Sequence, residues 1–119
     1  MMTFFNPNLP LAPGTAWLIL ILAGVFEVGF AICLKLSEGF TKPLPTLGFV
    51  VFASASFCLL TIAARVLPIG TAYAVWTGIG AFGTAVLGIL LFKDSTAPAR
   101  LALLVLLIGS VIGLKFVGD

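Results

Sequence analysis

The chain has 119 residues, of which 61% are hydrophobic and only 8% charged, with a formal net charge of +2. A soluble globule of this size must cover a large surface with polar groups, so this composition excludes one and points to an integral membrane protein. A net charge this small gives no footprint for nucleic acid, and a chain with no His and only two Cys, both inside apolar runs (Cys33 and Cys58), offers no metal centre and no cofactor motif.

Residues 1–16 carry no Lys or Arg but hold Pro7, Pro10, Pro13, Asn6, Asn8 and Gly14. Without a basic n-region they are not a signal peptide. They read as a loosely ordered N-terminal extension, or as sequence upstream of the true start. The first span is 17–36. The segment SEGFTKPLP, 37–45, has the polar and Pro signals of a short connection. A second span covers 44–64 and ends at Arg65, where Pro68 and Gly70 break the chain. The third runs over 69–92, the turn KDSTAP over 93–98, and the fourth span over 99–116. The expectation is an all-α integral membrane protein, with residues 17–119 forming one domain of four transmembrane helices. Lys35, Lys42, Lys93 and Arg100 flank the first and third connections, against Arg65 and Lys115 on the other side. That bias leans towards both termini outside, and it is small enough for insertion in both orientations.

The first span, LILILAGVFEVGFAICLKL, is organised around one acid, Glu27. Ten residues separate it from Trp17 and eight from Lys35, about 15 Å and 12 Å along a helix, so Trp17 and Lys35 can mark the two interfaces and Glu27 the midplane. A charge at that depth costs about 2.5–3.5 kcal/mol on insertion scales. No Lys or Arg lies at the same depth to pair with it. Gly24, Ala23, Ala31 and Phe30 share the helical face of Glu27, so small residues leave room beside the acid. In the second span Ser54, Ser56 and Thr61 are the hydroxyls, and Ser56 lies at the depth of Glu27; each could equally bond back to its own helix. In the third, Tyr73, Trp76 and Gly80 recur at i, i+3 and i+7. Trp76 lies deeper than an interfacial belt requires, and aromatic faces beside a carboxylate suit a cation. Gly78, Gly80 and Gly83 allow either a bend or a close static crossing. In the fourth, Gly109 and Gly113 form a GxxxG spacing, a helix-dimerisation pattern.

The blocks AGVFEV (23–28), LKLSEGFTK (34–42), LPIGTAYAVWTGIGAFG (67–83) and IGLK (112–115) resemble, in order and spacing, those of the small multidrug resistance transporters, and within them the guanidinium-exporter subtype. The resemblance covers about residues 17–116. It implies an antiparallel, dual-topology homodimer in which the fourth helices associate through Gly109 and Gly113 and the first three line a substrate cavity. It implies that Glu27 is the essential carboxylate, that Gly24, Ser56, Tyr73 and Trp76 line its site, and that Ser56 is a hydrogen-bond partner of the acid. That subtype usually has Trp one turn after the Glu, where this chain has Phe30, which keeps a stacking face and lacks the indole N–H.

These residues suggest an antiporter of the cell inner membrane, not an enzyme. Protons and a small organic cation would compete for Glu27, and two copies of it in a dimer would titrate as a coupled pair. A planar guanidinium meets a carboxylate through a bidentate fork and stacks on aromatic rings. The partners expected are such a cation, H+, a second copy of the chain or a paralogous subunit, and the lipid bilayer. Glycines 78, 80 and 83 would supply a conformational hinge. Three other readings stay open. One is a polyspecific exporter of quaternary ammonium compounds, another is one half of a heterodimeric pair, and a third is a structural membrane protein in which Glu27→Gln would be silent.

Overall fold

In the computed structural model the described residues are 11–117. Residues 1–10 of the expected N-terminal extension lie outside them. Among the described residues there are four helices: α1 (Pro13–Leu36), α2 (Pro43–Ala63), α3 (Ile69–Phe92) and α4 (Pro98–Val117). Each is long and apolar enough to cross a membrane.

The helix starts follow from proline chemistry. Pro13 opens α1, Pro43 opens α2 and Pro98 opens α4. A proline in the first turn has its φ already set for the helix and lacks only an N–H that would have no helical acceptor. Pro13 therefore starts α1 four residues before the span expected from hydropathy, and the added turn brings Ala16 into the core with no exposed surface. The stops are local as well. Lys93, in the left-handed region at φ 57°, ends α3, and the N–H of Asp94 turns back to the carbonyl of Gly88 at 3.1 Å. After α1 the chain turns through Glu38, Gly39 and Phe40, all at positive φ (47°, 73° and 66°). Ser37 holds this turn from inside. It is fully buried, its Oγ donates to the Leu34 carbonyl at 2.7 Å, and it accepts the Phe40 N–H at 3.1 Å.

The short connections make consecutive helices antiparallel, so α1 and α3 run in the same direction. α1 is central: it packs against α2 and α3, which also meet each other, while α4 packs against α3 and reaches α1 through Lys115 over the Trp17 ring at 5.6 Å. The lateral order is α2–α1–α3–α4, in a flattened body with principal extents of 45 × 36 × 16 Å. The core is small, built from Ala16, Leu20 and Ala23 of α1 against Ala63, Leu67, Ala72, Val75 and Trp76. Outside it, large apolar side chains such as Leu18, Leu44, Leu90 and Val105 are exposed, as a lipid-facing surface requires. Only Val111 of α4 is buried.

Candidate functional site

Glu27 lies in the middle of α1, with α2 and α3 on either side. Along α1 the contacts to α3 follow one stripe. A side-chain carbon added at Gly24 would come within 2.7 Å of Ile79, one at Gly80 would overlap the Glu27 carboxyl, and one at Gly83 would come within 2.5 Å of Val28. The glycines thus bring α1 and α3 together where a Cβ could not fit. Oε1 of Glu27 is buried at this seam and has no hydrogen-bond partner among the described residues.

On the α2 side of Glu27, a fixed polar bridge joins three helices. Ser56 of α2 is fully buried, donates its hydroxyl to the Ala23 carbonyl of α1 at 2.7 Å, and accepts the indole N–H of Trp76 of α3 at 2.9 Å. Ala23 lies one turn before Glu27, so its carbonyl is also the helical acceptor for the Glu27 amide. The bond from Ser56 to the Glu27 carboxyl implied by the family resemblance is not made. The reason is geometric: the serine hydroxyl has one proton, and the nearby backbone carbonyl takes it.

Around that bridge the aromatic rings form a continuous set of contacts. Trp76 lies 5.6 Å from Tyr73 and 5.4 Å from Phe57, and Phe57 stacks on Phe30 at 6.1 Å with ring planes 23° apart. Phe30 also meets Phe49 edge-on at 5.7 Å. Trp76 is buried, whereas Tyr73 is 56% exposed. The structure therefore brings Glu27, Gly24 and Gly80 to the α1–α3 seam, and Ser56, Trp76, Tyr73 and Phe30 to an aromatic cluster beside it. Phe57 joins that cluster without having been expected there. In sequence it is one of 11 phenylalanines in apolar surroundings, and nothing local distinguishes it.

The remaining expected residues have other neighbours. Gly78 faces α4, where an added carbon would overlap Val111. α3 runs unbroken from Ile69 to Phe92, so in this structure Gly78, Gly80 and Gly83 are points of close helix approach and not a break. Gly109 and Gly113 of α4 have nothing within 4 Å and lie on the side away from Val111. A groove of about 690 Å³ is on the opposite face of α1 from Glu27; Val25, Phe26, Gly29, Phe52, Phe82 and Val86 are among its lining residues, none of which is charged. The carboxyl belongs to the other face.

Residues 15–107 match the family model of the Small Multidrug Resistance protein. The chain belongs to the small multidrug resistance family. As a member of it, this chain is a multi-pass inner-membrane protein of transporter type, not an enzyme. Among its curated relatives are the guanidinium exporter of Yersinia pseudotuberculosis, 52% identical over 100 residues, which covers 84% of this chain and 96% of that protein. The guanidinium exporter of Citrobacter freundii is 49% identical over 100 residues, covering 84% of this chain and 95% of its own length, with the same figures for that of Salmonella thompson.

Proposed function

We propose that this small multidrug resistance protein exports guanidinium or related small guanidinyl cations in exchange for protons, both competing for Glu27. The observation that carries this reading is the state of the acid: a carboxyl oxygen buried within a membrane span, with no donor among the described residues. Such a group requires a proton or a cation when it is not exposed to water. The stacking faces of Phe30, Phe57 and Trp76 on the same side of α1 suit a planar cation, and the relatives named guanidinium exporters support that choice of cargo.

Exchange follows from exclusion. A site that holds either protons or the cation, and that changes sides only when loaded, couples inward proton flow to outward cation flow. The functional unit in this reading is an antiparallel homodimer. The Glu27 face of the flat subunit supplies half of a cavity, the exposed Gly109 and Gly113 face of α4 supplies the association surface, and the two membrane-facing states are one structure with the subunit roles exchanged. The close approaches at Gly78, Gly80 and Gly83 let α3 pivot against α1 and α4 during that exchange.

The test is transport in proteoliposomes under a proton gradient. Guanidinium should drive a current in the wild type that is absent in Glu27→Gln. A Glu27→Gln protein that still transports guanidinium would end this reading. The stacked Phe30–Phe57 pair, which has no indole N–H at position 30, favours one alternative, a polyspecific exporter of bulkier apolar cations. A current with a quaternary ammonium and none with guanidinium would select it.

A further inference from the structure

An α3 residue that faces the carboxyl of Glu27 is a glycine, Gly80, and the space its side chain would take is occupied. A Cβ built on Gly80 would overlap Oε1, Cδ and Cγ of Glu27 together. The Cα hydrogen that stands in that direction therefore points at Oε1, the oxygen that is buried and has no hydrogen-bond partner among the described residues. A Cα–H contact is a weak donor, so the backbone of α3 holds the carboxyl in place without neutralising it. The other two glycines of the triplet have different neighbours: carbons added at Gly78 and Gly83 would meet the apolar side chains of Val111 and Val28.

We propose that Gly80 is a positioning residue for Glu27: its bare Cα keeps the carboxyl in the α1–α3 seam and so sets how readily that carboxyl exchanges its proton. The reading rests on Glu27 as the proton and cation site. It gives Gly80 a task that Gly78 and Gly83, which meet apolar side chains, do not share. The groups that could otherwise control Glu27 are few. Over its whole length α2 carries only Cys58 as an ionisable side chain, α3 carries only Tyr73, and α1 itself adds Cys33 and Lys35 near its far end. No charge on a neighbouring helix fixes the carboxyl, so its position in the seam is what remains to do so.

The experiment follows the infrared carboxyl band of Glu27 against pH in lipid-reconstituted protein, with the band identified by its loss in Glu27→Gln. In Gly80→Ala the new methyl must displace the carboxyl from its place in the seam, which changes its surroundings and so its proton affinity. The midpoint should shift by about half a pH unit or more. Gly83→Ala, whose added carbon meets Val28 first and not the carboxyl, should leave the midpoint in place whatever it does to stability. An unchanged midpoint in Gly80→Ala, or an equal shift in Gly83→Ala, would overturn the assignment. If Gly80→Ala does not fold, Glu27→Ala/Gly80→Ala decides. Recovery to the yield of Glu27→Ala alone shows the overlap to be the cause, and no recovery shows that α3 needs the glycine for another reason. The band is read without substrate, so a wild type that moves no guanidinium would sink the proposed function and leave this test intact.

Discussion

In the proposed exchange one acid, Glu27, serves two ligands, and the atoms within a turn of it bear on how it could do so. Its buried oxygen faces the α3 backbone, and the serine hydroxyl nearest in depth is already bonded to Ala23 and Trp76. Among the described residues no donor competes with the proton or cation of the proposed exchange. If both bind that carboxyl, lowering the pH on the side that supplies guanidinium must raise its apparent KM, by up to about tenfold per pH unit where the acid is protonated, with the maximal rate preserved. Initial rates at several pH values check this, and a KM independent of pH would remove the competition. The Ser56–Trp76 bridge makes a second, separable prediction. Trp76→Phe keeps a ring against Tyr73 and Phe57 but loses the donor to Ser56, which should lower thermal stability by about 1 kcal/mol or less and raise KM by less than Trp76→Ala does. Equal losses in the two variants would mean that the hydrogen bond, and not the ring, is what matters. The individual residues of this site were legible in the sequence because each is out of place in a membrane span: an acid, a deep Trp, a serine at matching depth. Their bonding was not legible. A hydroxyl that can reach a carboxyl or a backbone carbonyl is assigned only when the register of α1 against α2 is known.

At the level of the helix, small residues decide where α1 and α3 meet. Gly24 against Ile79 and Gly83 against Val28 fix a close, parallel pair, with Glu27 and Gly80 between them. Gly24→Leu should therefore separate the helices and cost about 1–3 kcal/mol, read as a lower midpoint of thermal unfolding in detergent. Gly14, which has nothing within 4 Å, should accept Ala with no such loss. A neutral Gly24→Leu would show that the seam is not packed as described. The four spans were legible because apolar runs of this length have no other use in so short a chain, and Pro, Lys and Asp mark their ends. The start of α1 was not, because Pro13 lies in a polar and Pro-rich stretch that resembles a tail, whereas a proline at N1 is also how a helix begins. The glycines of α3 illustrate the same limit. Their density signals an unusual helix, but bend and close crossing share that signal, and only the neighbours of each Cα separate them.

For the molecule as a whole, the weight of the design falls on what one subunit leaves open. α4 buries only Val111, nothing lies within 4 Å of where a side chain at Gly109 or Gly113 would begin, and large apolar side chains are exposed on every helix. The proposed antiparallel dimer would give these surfaces a partner, and its requirement is that the chain insert both ways. The charge distribution permits this, since Lys35, Lys42, Lys93 and Arg100 on one side face only Arg65 and Lys115 on the other. The ion pairs of Lys42 with Glu38 at 3.2 Å and of Arg100 with Asp94 at 4.0 Å occupy two of those four cations, but acids contribute little to orientation, so the lysines and arginines govern it. Adding Thr96→Lys and Ala97→Lys in the exposed third connection strengthens the existing bias and should lock one orientation. A second variant, with Lys42→Ser, Arg100→Ser, Val66→Lys and Phe116→Lys, reverses the bias through three exposed positions and the half-buried Arg100 and should lock the other. Each variant expressed alone should place its termini on a single side of the membrane and fail to transport guanidinium, and the two expressed together should recover transport. Full activity from either variant alone, with its single orientation verified by labelling of a terminal cysteine, would mean that parallel subunits suffice, and the two membrane-facing states would then need a structural basis other than an exchange of subunit roles.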